Sequence, residues 1–224
     1  TIAALALLTA TQVSAAEPHA QHADTGQVNF DIACNDQAQQ HFNTAVSHFH
    51  SFHWAHVAPA AAEVLAADPT CGMAHWIDAF AMLNNPFSWP GGISAQAMTR
   101  APAALQAARE TGLKTERERD YVAALEALFQ DHETLDHKTR AKRLEDAFRQ
   151  LAERYPEDPE ASIFYAMVLS ANFDPTDEKF VNQLQAAAIL EPLFDRYPRH
   201  PGVAHYLIHS YDYPTIADKG IEAA

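Results

Sequence analysis

Phe42, Ala45, Val46, Phe49 and Phe52 recur at i, i+3, i+4, i+7 and i+10, the spacing of one apolar stripe on a helix that begins near Asp36. A second helix is predicted over 55–67. It closes at Asp68-Pro69-Thr70-Cys71-Gly72, where the proline blocks continuation and the glycine opens the next turn. MAHWIDAFAML then starts a third helix, stopped by the breaker-rich NNPFSWPGG. Further helices are predicted over 94–111, over 116–130 behind the capping box Thr115-x-x-Glu118, and over 136–154, 160–171 and 178–195. Strand-type alternation of Val, Ile and Thr is not found, so the chain reads as all-α.

The helices repeat. RYPEDPEASIFY (154–165) and RYPRHPGVAHYL (196–207) share Arg-Tyr-Pro-x-x-Pro, each closing one helix and opening another. GMAHWI (72–77) and GVAHYL (202–207) match as Gly, Met or Val, Ala, His, aromatic, Ile or Leu. Short helices joined by short turns favour antiparallel hairpins stacked on their neighbours, which makes an α-solenoid over 34–224 the expected architecture.

The first hairpin resembles a tetratricopeptide (TPR) repeat. With Pro69 as the terminal proline of the unit, Ala45 falls at its small-residue position and Trp54 at an aromatic position near the turn. Val57, Ala61 and Val64 fill later packing positions, while Ser51 and Phe52 stand where Leu and Gly are usual. Taken together, FNTAVSHFHSF, DPTCGMAHW, KTERERDYV and HPGVAHYLIHSYDYP resemble a group of exported bacterial TPR proteins. The resemblance implies a helical-repeat fold, export, and further repeats beyond residue 224.

Composition adds limits. Formal charge is −14, from 29 acidic and 15 basic side chains, and no basic cluster offsets it. That field disfavours nucleic acid and anionic membrane surfaces as partners. Residues 1–16 carry a short apolar run followed by small residues, as in a secretory signal peptide without its Met and basic start. Residues 17–33 read as a polar, flexible lead-in. Export, to a periplasm-like compartment, would make Cys34 and Cys71 a disulfide candidate, the rival being two unrelated thiols.

Candidate chemistry lies in the histidines. His205, His209 and Asp212 stand at i, i+4 and i+7, within about 60° around a helix axis. Two imidazoles so spaced can hold one zinc or copper ion. Tyr206 occupies the place of the general-base Glu of H-E-x-x-H proteases, which excludes that class. The bland alternative is a polar stripe hydrogen-bonded to the next hairpin. His75 is the repeat counterpart of His205, so the two are expected on one concave wall. His41, His48, His50, His53 and His56 crowd the first hairpin, with His53 read as a packed turn residue. The family resemblance marks His50, His75, His205, His209 and Asp212 as site residues. Nucleotide-binding glycine loops and nucleophile elbows are absent. Two functions follow as expectations: a TPR-type module holding a protein, peptide or small ligand in its groove, or a copper- or zinc-binding protein or metalloenzyme.

Overall fold

A computed structural model of the chain describes residues 26–224, so the leader expected over 1–16 and the first part of the lead-in lie outside the described residues. Nine α-helices and two short 3-10 segments follow in order among these residues, with no strand. They are α1 (Asp36–His50), α2 (Trp54–Ala67), α3 (Met73–Ala81), α4 (Ala95–Thr111), α5 (Glu116–Glu126), α6 (His137–Arg154), α7 (Pro159–Ala171), α8 (Val181–Arg196) and α9 (Pro201–Tyr211). The 3-10 segments are Pro86–Gly91 and Ala217–Gly220.

Local chemistry sets the boundaries. Asn35 caps α1 by accepting from the Ala38 N–H, and its apolar stripe of Ala38, Phe42, Ala45, Val46 and Phe49 is buried. Thr115 and Glu118 form the expected capping box of α5. That helix ends at Glu126, short of the expected 130, in a run of turns that includes the left-handed Asp131 (φ 55°). The two Arg-Tyr-Pro-x-x-Pro motifs do the same job twice. Tyr155 and Tyr197 are C-caps of α6 and α8, while Asp158 and His200 are N-caps of α7 and α9, each followed by proline at the first helical position. The second repeat match also keeps its burial pattern, with Trp76 and Tyr206 both buried and His75 and His205 both half-buried.

Consecutive helices pack as hairpins, α1 on α2, α3 on α4, α5 on α6 and α7 on α8. The packing goes beyond a one-dimensional stack, because α1 also meets α3 and α9, and α7 meets the 3-10 segment Pro86–Gly91. The cause is an aromatic centre shared by distant hairpins. Phe164 of α7 lies 5.5 Å from Phe49, 5.3 Å from Trp76 and 5.3 Å from Phe80, ring centre to ring centre.

Residues 26–33 pack, where a flexible lead-in was expected. Phe30 is fully buried against Phe42 and Tyr121, and the Arg117 guanidinium covers its ring at 4.6 Å. Side chains capture the strap's backbone: Asn43 accepts from Phe30 N–H, Gln39 from Ile32 N–H and Glu118 from Ala33 N–H. A polar sequence with three alternating apolar residues, Val28, Phe30 and Ile32, is enough once those acceptors are placed.

Cys34, at the end of the strap, lies at disulfide distance from Cys71 in the α2–α3 turn, across 37 residues of sequence. Closing such a loop restricts the unfolded chain by about 3–4 kcal/mol. Reduction, or Cys34→Ser with Cys71→Ser, is therefore expected to lower the stability read from urea unfolding by about 3 kcal/mol, with helix content unchanged.

Candidate functional site

Glu160, the second residue of α7, has its carboxylate buried with 1% of the side chain exposed. An anion there is tolerable only if hydrogen bonds replace water. Two imidazoles supply them: His50 Nε2 lies 3.0 Å from Oε2, and His200 Nε2 lies 2.8 Å from Oε1. Both ring nitrogens must donate to the carboxylate, so each Nδ1 is left as an acceptor. His50 Nδ1 accepts from the Tyr206 hydroxyl at 2.8 Å, and His200 Nδ1 accepts from the Val203 N–H at 3.4 Å. Every polar atom of this cluster has a partner. Burial pushes the Glu160 carboxyl up, but the two imidazoles outweigh it and hold it below its ordinary value. Burial likewise keeps His50 neutral, its pKa lowered against the pull of Glu160.

His50, Glu160 and His200 are the one group among the described residues whose possible metal-ligand atoms all lie within 4.8 Å of one another. The donor set suits a transition metal only in part. Metal at both Nε2 atoms would move the ring protons to Nδ1. At His50 the moved proton would meet the Tyr206 oxygen, a good acceptor. At His200 it would face the Val203 N–H, donor against donor. The network is better satisfied as a hydrogen-bonded latch.

Gly202 makes room for it. A Cβ there would sit 2.7 Å from His50 Nδ1. In the repeat alignment Gly202 corresponds to Glu160, and His200 to Asp158. The two hairpins thus differ at the positions where they meet, one offering the carboxylate and the other an imidazole and a gap.

His50 also links the latch to a second imidazole pair through its backbone. Its carbonyl, at the end of α1, lies 2.6 Å from His205 Nδ1 and must accept from it. His205 Nε2 is therefore a bare lone pair. It faces His209 Nε2 at 3.1 Å. Both rings are half-buried, and burial lowers the pKa of each. At His205 the hydrogen bond to the His50 carbonyl opposes this, and His209 is brought down to about 4 with help from His205 and against Asp212. Aromatic rings wall the pair: Phe52 is 4.3 Å from His205, Phe87 is 4.2 Å from His209, and Trp54 stacks on Phe52 at 4.7 Å.

The five residues marked in the sequence separate. His205 and His209 come together. His50 joins the buried latch, with both ring nitrogens engaged. Asp212 is the exposed C-cap of α9, close enough for its charge to act on His209. His75 is half-buried on α3 with Asp78 as its charged neighbour, and no contact with His205 is found among the described residues. His53, read as packed, is exposed at the N-cap of α2. Glu160, His200 and Tyr206 were missed, because a glutamate and a histidine beside Pro159 and Pro201 already have a complete explanation as helix-start residues. The usable signal was the mismatch between repeats at Asp158/His200 and Glu160/Gly202.

Fold and site together define an all-helical protein, with a disulfide-distance cysteine pair, a buried His/Glu group and an imidazole pair on an aromatic face. No helix among the described residues is long and apolar enough to cross a membrane. No protein family, curated protein or solved structure matches the chain.

The latch fixes the acid response. Glu160, with a depressed folded pKa, contributes stability above its unfolded value of about 4.3 and loses it as pH falls. His50, also depressed, contributes above about 6.5 and likewise loses it on acidification. Stability from urea unfolding should therefore fall between pH 7 and pH 4. Glu160→Ala should begin about 3 kcal/mol lower at pH 7, because it strands two buried N–H donors, and should show a shallower decline below pH 5. An unchanged slope would show that the carboxylate does not carry it.

Proposed function

We propose that the chain is a TPR-type helical module of an exported protein, that it works by binding at the face formed by the α1–α2 turn, Pro86–Gly91 and α9, and that a divalent transition metal, copper or zinc, is the ligand this face takes. The observation that carries the reading is the 3.1 Å approach of His205 Nε2 and His209 Nε2, with His205 Nδ1 already committed to a backbone carbonyl.

Metal–imidazole bonds of about 2.0–2.1 Å place two nitrogens about 2.9–3.4 Å apart for angles between square and tetrahedral. The observed separation falls inside that span. The carbonyl partner on His205 is the kind of outer contact that fixes a ligand ring's tautomer. Neutral rings at physiological pH need lose no net charge to bind. Asp212 is the candidate third donor, and the remaining positions would hold water or a ligand lying against Phe52 and Phe87. Export is supported by the cysteine pair and by the leader-like first residues. The TPR assignment is supported by the twice-used Arg-Tyr-Pro-x-x-Pro turn and the residues of the first hairpin.

A second reading, a protein or peptide held on the same face, is favoured by Phe52, Trp54 and Phe87, which are half-buried and so still present part of their rings to solvent.

Tag-free protein titrated with Zn²⁺ at pH 7.5, with elemental analysis after dialysis, is expected to retain a metal equivalent that is lost in both His205→Ala and His209→Ala. Phe87→Ala should keep it. Retention of the full metal complement in both histidine variants would remove the metal reading and leave the aromatic face as the binding feature.

A further inference from the structure

The α1–α2 turn gathers a different set of histidines. His48 lies in the last turn of α1, His53 is the N-cap of α2, and His56 lies in its first turn. No single helix puts positions i, i+5 and i+8 on one face. The turn does so, because Phe52 adopts φ 57°, a left-handed conformation unusual for a bulky residue. The reversal is closed by two hydrogen bonds, His53 N–H to the His48 carbonyl and His56 N–H to the His53 carbonyl, each 2.9 Å. The three rings end as a triangle. His48 and His56 are 5.2 Å apart, His48 and His53 5.9 Å, and His53 and His56 6.1 Å, ring centre to ring centre.

We infer that His48, His53 and His56 form a second site for a divalent transition metal ion, separate from the His205/His209 pair. Three imidazoles on one tetrahedral ion have ring centres about 5 Å apart, so the ring centres already have nearly the right spacing, while the nitrogens, not yet within 4.8 Å of one another, must be brought together by rotation of the exposed rings. His53 and His56 are exposed, and their rings can turn into place without disturbing packing. His48 is half-buried and acts as the fixed corner. An all-nitrogen donor set selects zinc, copper or nickel over calcium and magnesium, which require oxygen. The fourth position stays open to water. The net charge of −14 draws cations to the surface. The two sites are neighbours, since the charge of His53 reaches His205.

The test is a metal count on four tag-free proteins under the same Zn²⁺ titration: the unaltered chain, His205→Ala with His209→Ala, His53→Gln with His56→Gln, and all four changes together. Circular dichroism checks that each remains folded. The expected pattern is that each double variant loses one equivalent and that the quadruple variant loses two. An unaltered count in the His53/His56 variant would overturn the second site and leave the first standing. Loss confined to that variant would overturn the first and support the second. A single equivalent lost equally in either double variant would mean one shared site, which overturns the separation inferred here.

Discussion

A buried carboxylate that needs two donors constrains everything around it. Glu160 starts α7, His50 ends α1, and His200 caps α9, so satisfying one anion fixes three helices against one another. Neither imidazole is dispensable, because a buried charge short of hydrogen bonds costs several kcal/mol. The contact spans 110 residues in one direction and 40 in the other. It closes what would otherwise be a stack of nearest neighbours, and it dictates a glycine at 202, since any side chain there would strike the His50 ring. It also orients the end of α1, and the His50 carbonyl that emerges holds His205 in a single tautomer. The surface pair therefore inherits its geometry from the interior.

The turn after α1 adds a second constraint. A backbone of this hand usually falls to glycine, and Phe52 departs from that rule with φ 57°. A non-glycine residue held so costs on the order of 1–3 kcal/mol. Stacking on Trp54 and contact with His205, each about 0.5–1.5 kcal/mol, offset much of that. The departure thus exchanges backbone ease for an aromatic wall beside the imidazole pair, and the same reversal brings His48 opposite His53 and His56.

What could be read from the sequence follows the range of the interactions. Helix positions, the Thr115 capping box and the twice-used Arg-Tyr-Pro-x-x-Pro turn are local, and each was legible from a few neighbouring residues. The pairing of Cys34 with Cys71 was legible as one of two alternatives. The end of α5 ran short because Ala127 to Leu135 turns instead of continuing, a choice that periodicity does not reveal. The strap 26–33 was illegible because its order comes from acceptors on α1 and α5. The parallel between His75 and His205 failed as a contact for a related reason. Equivalent positions have equivalent burial, yet apart from α1, which both meet, α3 packs on α2, α4 and α5, while α9 packs on α7 and α8. Repeat symmetry predicts a residue's environment within its own hairpin and says little about which distant residue it meets.

The protonation states decide what the surface pair can hold. With His205 Nδ1 donating to a carbonyl, its Nε2 has only a lone pair, and the 3.1 Å contact needs a proton on His209 Nε2. An arriving cation replaces that proton, which can move to His209 Nδ1 without changing the ring's charge. Because burial and the neighbouring ring hold His209 near a pKa of about 4, protons compete weakly for it at neutral pH. A loss of metal as pH falls towards about 4 would therefore report protonation of His209 itself.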